Sequence, residues 1–285
     1  MPANDTRGAV LITGASTGIG RACAEHLDDL GFTVFAGVRK ASDADSLRAG
    51  GSERMQPVTL DVTDSDSIGT ALQTVAEAAP DGLAGLVNNA GVAFGGPLEF
   101  VPIDQWRRQL EVNFIGQVAV SQAALPALRR AKGRIVNVTS IGGRVASPFF
   151  GPYNASKFAL EAVTDSLRLE LRRSGIEVIA IEPGAVATPI WGKGRSTGEE
   201  LAASMPAEGE RLYGRGIEAM REVIAQLERS GVPPLAVARA VEHALTARRP
   251  KTRYVVGREA WMQLILSRLL PTRLMDRLVV RVMGV

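Results

Sequence analysis

The stretch Ala9-Val10-Leu11-Ile12-Thr13-Gly14-Ala15-Ser16-Thr17-Gly18-Ile19-Gly20 decides how the rest of the chain is read. Its first four residues form an unbroken apolar run, which suits a strand buried on both faces better than one alternating between core and water. Three glycines follow close together. They let the backbone turn sharply and approach a pyrophosphate, and a helix starting near Gly18 aims its free N–H groups and positive dipole end at such an anion. Residues 21–30 then carry apolar side chains at helical spacing and stop at Gly31, a helix-ending signal. Strand, glycine-rich turn and helix in this order predict a dinucleotide site.

Working outward, further strand-like runs fall at 32–38, 58–60, 86–87, 134–138, 178–181 and 253–256, and helical spacing at 67–79, 105–130, 155–173 and 235–247. Strands alternating with helices of this length predict an α/β fold, a parallel sheet with helices on both faces. Residues 1–285 read as one domain, a size at which a single α/β core is common. Residues 183–231 break the pattern. They are rich in Gly, Pro, Ser and charge, with helical pieces at 199–204 and 210–229, and 189–231 read as a lid inserted over the sheet edge. Residues 258–285 read as two short amphipathic helices broken at Pro271, with Arg258, Arg268, Arg273, Arg277 and Arg281 among Trp261, Met262, Ile265, Leu269, Leu274, Leu278, Val282 and Met283. Such a face can dock on an anionic membrane surface, or pack on the body or on a second subunit.

The bulk numbers remove other classes of function. A formal net charge of +3 over 285 residues is no nucleic-acid footprint. One cysteine, Cys23, cannot form an internal disulfide and suits a reducing cytosol; with only His26 and His243 beside it, no metal site is expected. The polar start at residues 1–8 lacks the apolar stretch of a signal peptide, and no run of 18 apolar residues occurs, so the expectation is a cytoplasmic protein without a spanning helix. Two histidines on ordinary helical stretches also leave a Ser-His-Asp triad without support.

The glycine spacing is T-G-x-x-x-G-x-G, and other residues fall into line with it: Asn88-Asn89-Ala90-Gly91, Asn113, Ser140, Tyr153-x-x-x-Lys157, Pro183-Gly184 and Thr188. Over residues 9–190 the chain thereby resembles the short-chain dehydrogenase/reductase family, most of all its retinol, 17β-hydroxysteroid and 3-hydroxybutyrate dehydrogenase-like branch. The resemblance implies a Rossmann-like doubly wound sheet and hydride transfer to or from a nicotinamide. It implies a cofactor held by Gly14, Ser16, Thr17, Ile19, Gly20, Asp61, Val62, Asn89, Ala90, Gly91, Pro183, Gly184, Val186 and Thr188. It also implies a homodimer or homotetramer built through the helices that carry Asn113 and Tyr153.

Tyr153 and Lys157 stand one turn apart on one helix face, so their side chains converge. A phenol is a poor base at neutral pH, and a cation beside it favours the phenolate. Tyr153 would then exchange a proton with the substrate oxygen. Ser140 would hydrogen-bond that oxygen, Asn113 would anchor a water leading towards Lys157, and Lys157 by resemblance also holds the ribose. At the end of the second strand Val38 stands where an NAD enzyme usually offers an acid, and Arg39 follows, which favours NADP(H) while leaving NAD(H) open. Alternatively Arg39-Lys40 is a solvated loop. Substrate walls are expected at 93–97, 141–150 and beyond Pro189, with Phe94, Phe149 and Trp191 as contacts and Val145, Phe150, Ile190, Met205 and Tyr213 nearby, which describes a lipophilic alcohol or ketone. Two alternatives stay open: a non-catalytic nucleotide sensor on the same fold, and a membrane-surface binding protein.

Overall fold

A computed structural model describes residues 7–283, apart from the side chains of 193–197, 282 and 283. The expectations placed on residues 1–6 and on Val282 and Met283 lie outside the described residues. Seven parallel strands, β1 (Ala9–Ile12), β2 (Thr33–Val38), β3 (Met55–Thr59), β4 (Leu83–Asn88), β5 (Arg134–Val138), β6 (Glu177–Pro183) and β7 (Arg253–Val256), form one sheet in the order β3-β2-β1-β4-β5-β6-β7. The sheet is the Rossmann-like doubly wound form, and the order reverses between β1 and β4. Ligands bind outside the carboxyl ends of the strands at such a switch point.

The apolar run of β1 is unbroken because both of its faces are covered. Val10 and Ile12 pack with α1 (Gly18–Asp29), α2 (Ala41–Gly50) and α9 (Pro234–Thr246). Ala9 and Leu11 pack on the other side with α3 (Ser65–Ala78), α5 (Gly116–Ala131) and the inward face of α6 (Gly151–Glu170). Each fully buried aliphatic side chain in these layers contributes about 1.5–3 kcal/mol, which makes the two helix layers the main source of stability. β3 lies at the sheet edge and tolerates Pro57, which has no N–H to donate.

Three features depart from the sequence reading. α2 was not expected, since only Ala44 and Leu47 of its ten residues are buried and its acidic, glycine-ended sequence carries little periodic signal. The single helix expected over 105–130 is divided into α4 (Ile103–Leu110) and α5 by a π-helical turn, Glu111–Ile115, which carries Asn113. Extra-residue turns of this kind cluster at functional sites. The segment expected as a lid is two continuous helices, α7 (Ile190–Ser204) and α8 (Ala207–Ser230), longer than the two pieces its sequence suggested. α10 (Arg258–Leu269) and α11 (Thr272–Met283) break at Pro271 as expected. α10, however, is apolar on both sides: Ala260 and Leu264 are buried against Ile141, Val145 and Val255, while Trp261, Met262 and Ile265 face outward.

Candidate active site

The carboxyl ends of β1, β2, β4, β5 and β6 open onto a cleft of about 580 Å³, within the size of a cofactor site. Every cofactor residue expected from the sequence except Gly20 lines it: Gly14, Ser16, Thr17, Ile19, Arg39, Asp61, Val62, Asn89, Ala90, Gly91, Pro183, Gly184, Val186 and Thr188. Gly20 sits behind the turn, beneath Gly14 and Asn89, and acts by its smallness. Gly14 has φ +65°, and a Cβ there would stand 2.8 Å from the Ala90 Cα, so the turn and the loop after β4 lie against each other. Asn89 locks that contact, its Nδ2 donating to the carbonyls of Thr13 (2.9 Å) and Gly14 (3.0 Å), while the Thr13 hydroxyl accepts from the N–H groups of Asn89 and Ala90. The α1 N-terminus opens on the same cleft with its first-turn N–H groups unpaired within the helix. This cradle, open where side chains would fill it, fits a dinucleotide.

The chemistry-bearing residues meet on one wall. Ser140 lies two residues beyond β5 and caps the short turn Ile141–Gly143, its Oγ accepting from the Gly142 N–H at 3.0 Å. Tyr153 and Lys157 come from the first two turns of α6, with the Lys157 Nζ 5.9 Å from the Tyr153 ring centre and donating to the Val138 carbonyl at 2.9 Å. Asn113 reaches the loop after β4. Its Oδ1 accepts from Val92 N–H (2.8 Å), and its Nδ2 donates to Val92 O (2.9 Å) and Ser156 Oγ (3.1 Å), tying that loop to α6.

Burial pushes the Tyr153 phenol above its ordinary value, against the pull of the Ser140 hydroxyl beside it. The depression expected from Lys157 does not show on Tyr153, where burial is the larger cause; burial also brings Lys157 itself down to about 8, with the Glu161 charge opposing. Asp61 is one more carboxylate at the cleft. Burial raises it, yet hydrogen bonds from the Thr63 N–H and hydroxyl and the charge of Arg39 hold it below the usual range.

The expected substrate residues divide. Phe94 lines the main cleft; Phe149 lines an adjoining apolar pocket, and Trp191 borders both. Leu201, Ile217, Met220 and Ile224 of the lid helices form the outer wall of that pocket. Val145, Met205 and Tyr213 do not line it. Val145 packs under α10, Met205 lies against Gly209, and Tyr213 reaches over to Glu99. The sequence placed a wall beyond Pro189 without singling out Leu201, Ile217, Met220 or Ile224, and it did not single out Leu60, Val112, Val138 and Thr139 of the main cleft. Leu60, Val138 and Thr139 were within reach, since each stands at the carboxyl end of a predicted parallel strand. His26 and His243 are structural, bonded to Glu242 (2.7 Å) and the Tyr254 hydroxyl (2.8 Å).

The sequence profile of the short chain dehydrogenase family matches residues 8–199, which include every residue that lines the main cleft. The chain belongs to that family. It is therefore an NAD(P)-dependent oxidoreductase, not the non-catalytic sensor its sequence left open. It is 35% identical over 274 residues to an NADPH-dependent 3-dehydrocapnine reductase of Ornithobacterium rhinotracheale, covering 94% of each chain. It is 38% identical over 286 residues to retinol dehydrogenase 5 of Mus musculus, covering 97% of this chain and 88% of that one. Among solved structures it superimposes with a TM-score of 0.78 on a short-chain dehydrogenase/reductase from Burkholderia phymatum in complex with NAD, at 28% identity over 93% and 94% of the two chains.

Proposed function

We propose that this dehydrogenase interconverts a lipophilic alcohol and its carbonyl with NADP(H) as the preferred cofactor. The observation that carries the reading is that the cleft holding Ser140, Tyr153 and Lys157 adjoins the apolar pocket lined by α7 and α8, the two sharing Ala93 and Trp191. The bound nicotinamide supplies or accepts the hydride and, when oxidised, adds a positive charge to the site. Tyr153 delivers the proton to the carbonyl oxygen in reduction and takes it back in oxidation. Ser140 donates to the same oxygen and steadies its developing charge. Lys157 places a cation beside the phenol, which favours the phenolate needed for oxidation. Asn113 holds the Val92 loop in register with α6 and anchors the water through which Lys157 exchanges protons.

The cofactor preference rests on Arg39. It stands exposed at the end of β2 on the cleft rim with Lys40, where its planar fork can pair with a 2′-phosphate. The relative whose name specifies NADPH and the solved structure that holds NAD represent the two outcomes within one family. The retinol dehydrogenase relative supports a lipophilic substrate. The oligomer is placed at the outer faces of the segments that carry Asn113 and Tyr153, where Ile115, Phe158 and Leu169 are exposed. Contact with an anionic membrane surface is placed at α10 and α11, where Trp261, Met262, Ile265 and Leu269 are exposed among arginines. No helix among the described residues is long and apolar enough to cross a membrane.

The experiment is a fluorescence titration of the pure protein with NADPH and NADH. It is followed by NADPH consumption with steroid, retinoid and short-chain carbonyl compounds. The expected result is tighter NADPH binding and a higher kcat/KM for the large apolar carbonyls. Equal binding of both cofactors, or a preference for short polar carbonyls, overturns the respective half of the reading.

A further inference from the structure

Behind the catalytic wall lies a cluster of charges that the proposed reaction leaves unused. Glu161 stands one helical turn beyond Lys157 and two beyond Tyr153, on the same face of α6. Its side chain is buried, and Oε2 accepts from Arg253 Nε of the edge strand β7 at 3.1 Å. Arg253 also pairs with Asp165 (2.7 Å) and with Glu182 of β6 (3.1 Å), and Glu182, fully buried, pairs with Arg144 at 3.0 Å. The cluster is pressed against the catalytic helix. A Cβ at Gly143 would stand 2.8 Å from the Lys157 carbonyl and 3.1 Å from the Glu161 Cγ. Glu161 Oε1 is buried with no hydrogen-bond partner among the described residues.

A buried carboxylate with one oxygen unshared is costly unless its field acts on something nearby. Arg253 divides its ion pairs among three carboxylates, so it only partly neutralises Glu161. The cation on which the remaining charge acts is Lys157, one helical turn back on the same helix. We propose that Glu161 is a positioning residue for the reaction, holding Lys157 in its ammonium form beside Tyr153 against the pull of burial. The charged and titratable groups of this region are Tyr153, Lys157, Glu161 and Asp165 on α6, Glu182 on β6, Arg253 on β7 and Arg144 after the turn that follows β5. Glu182 is gripped by the two arginines, and Glu161 is the charge that acts on Lys157. Burial brings Lys157 down to about 8, and the Glu161 charge is the cause acting upwards.

The inference rests on the reading of Tyr153 and Lys157 as the proton-handling pair. Its test is the pH profile of kcat/KM in the cofactor-saturated enzyme. Wild type loses the ammonium as pH rises through about 8, which sets an alkaline limb. Glu161→Gln keeps the size and the acceptor for Arg253 but removes the charge. It should move that limb about one unit lower, as loss of one nearby opposite charge does. Rates should match wild type near pH 6, fall about fivefold below it at pH 8 and about tenfold below it at pH 9 or above. Glu161→Asp, which keeps the charge, should restore the limb. A uniform rate loss at every pH, or an unmoved limb, overturns the proposal. Should Glu161→Gln fail to fold, Arg253→Gln carries the test: with the carboxylate less neutralised the limb should rise, and a limb that stays or falls overturns it. An enzyme that survives Tyr153→Phe refutes the underlying reading instead, so the two failures are distinguishable.

Discussion

At the scale of single residues the site is set by burial acting against charge. Tyr153 is raised by burial and Lys157 is brought down to about 8, so at neutral pH the protein's own groups hold a protonated phenol beside an ammonium. That is the state needed to protonate a carbonyl oxygen. The sign of the pH dependence follows: the ammonium is present below about 8 and lost above it, so carbonyl reduction should decline as pH rises through that value, read from kcat/KM against pH at saturating cofactor. Arg39 makes the second prediction. A hydrogen bond to a charged group is worth about 1.5–3 kcal/mol, so Arg39→Ala should raise KM for NADPH at least about tenfold and leave KM for NADH nearly unchanged. Equal effects on both would refute phosphate recognition. Tyr153, Lys157, Ser140 and Arg39 were legible in the sequence because each lies within a few residues of a strand end or shares a helix face with its partner. Glu161, Glu182 and Arg253 were not. They come from a helix and two strands, and only the folded sheet brings them together.

At the scale of elements α8 is held by aromatic contacts. Tyr213 of α8 meets Phe100 edge-on with ring centres 5.9 Å apart and Phe149 at 6.5 Å, and its hydroxyl donates to Glu99 at 2.9 Å. Phe149 adopts φ +63°, a left-handed backbone that a bulky residue keeps only when its surroundings enforce it. Its carbonyl accepts from the Gly96 N–H at 2.7 Å, so the loops before α6 and after β4 are joined beneath Tyr213. Aromatic pairs are worth about 0.5–1.5 kcal/mol each beyond their buried area. Tyr213→Ala should therefore loosen α8, raise KM for large apolar substrates several-fold and leave turnover of a small ketone nearly intact. An unchanged KM for the large substrates would show that α8 keeps its seat without this contact. Sequence periodicity found α8 but not its seat. Phe100 and Tyr213 are 113 residues apart, and the left-handed Phe149 carries no glycine to announce it.

At the scale of the whole molecule, the order β3-β2-β1-β4-β5-β6-β7 places the glycine-rich turn, Ser140 and Pro183-Gly184 at one end of the sheet. Its strand–helix alternation and the β1 motif were enough to give the sheet in advance. α2 and the π-helical turn were lost for want of a periodic signal. The C-terminal helices extend the body with an unbalanced face. Leu264 is buried and Leu269 is 74% exposed on the same helix, so they should respond oppositely to substitution. Leu264→Ala should lower stability by about 2–5 kcal/mol. The pair Ile265→Lys and Leu269→Lys should change it by no more than about 0.5 kcal/mol, while adding charge to the face proposed for the membrane surface. Thermal melts and co-sedimentation with anionic vesicles separate the two effects, and unchanged vesicle binding in the double variant would place the contact elsewhere. In the proposed mechanism this architecture holds one phenol, Tyr153, against a substrate oxygen. The most direct measurement is therefore turnover and cofactor binding of Tyr153→Phe in parallel. The account predicts a loss of at least about 10²-fold in kcat with NADPH affinity retained. Activity near wild type with intact cofactor binding would contradict it.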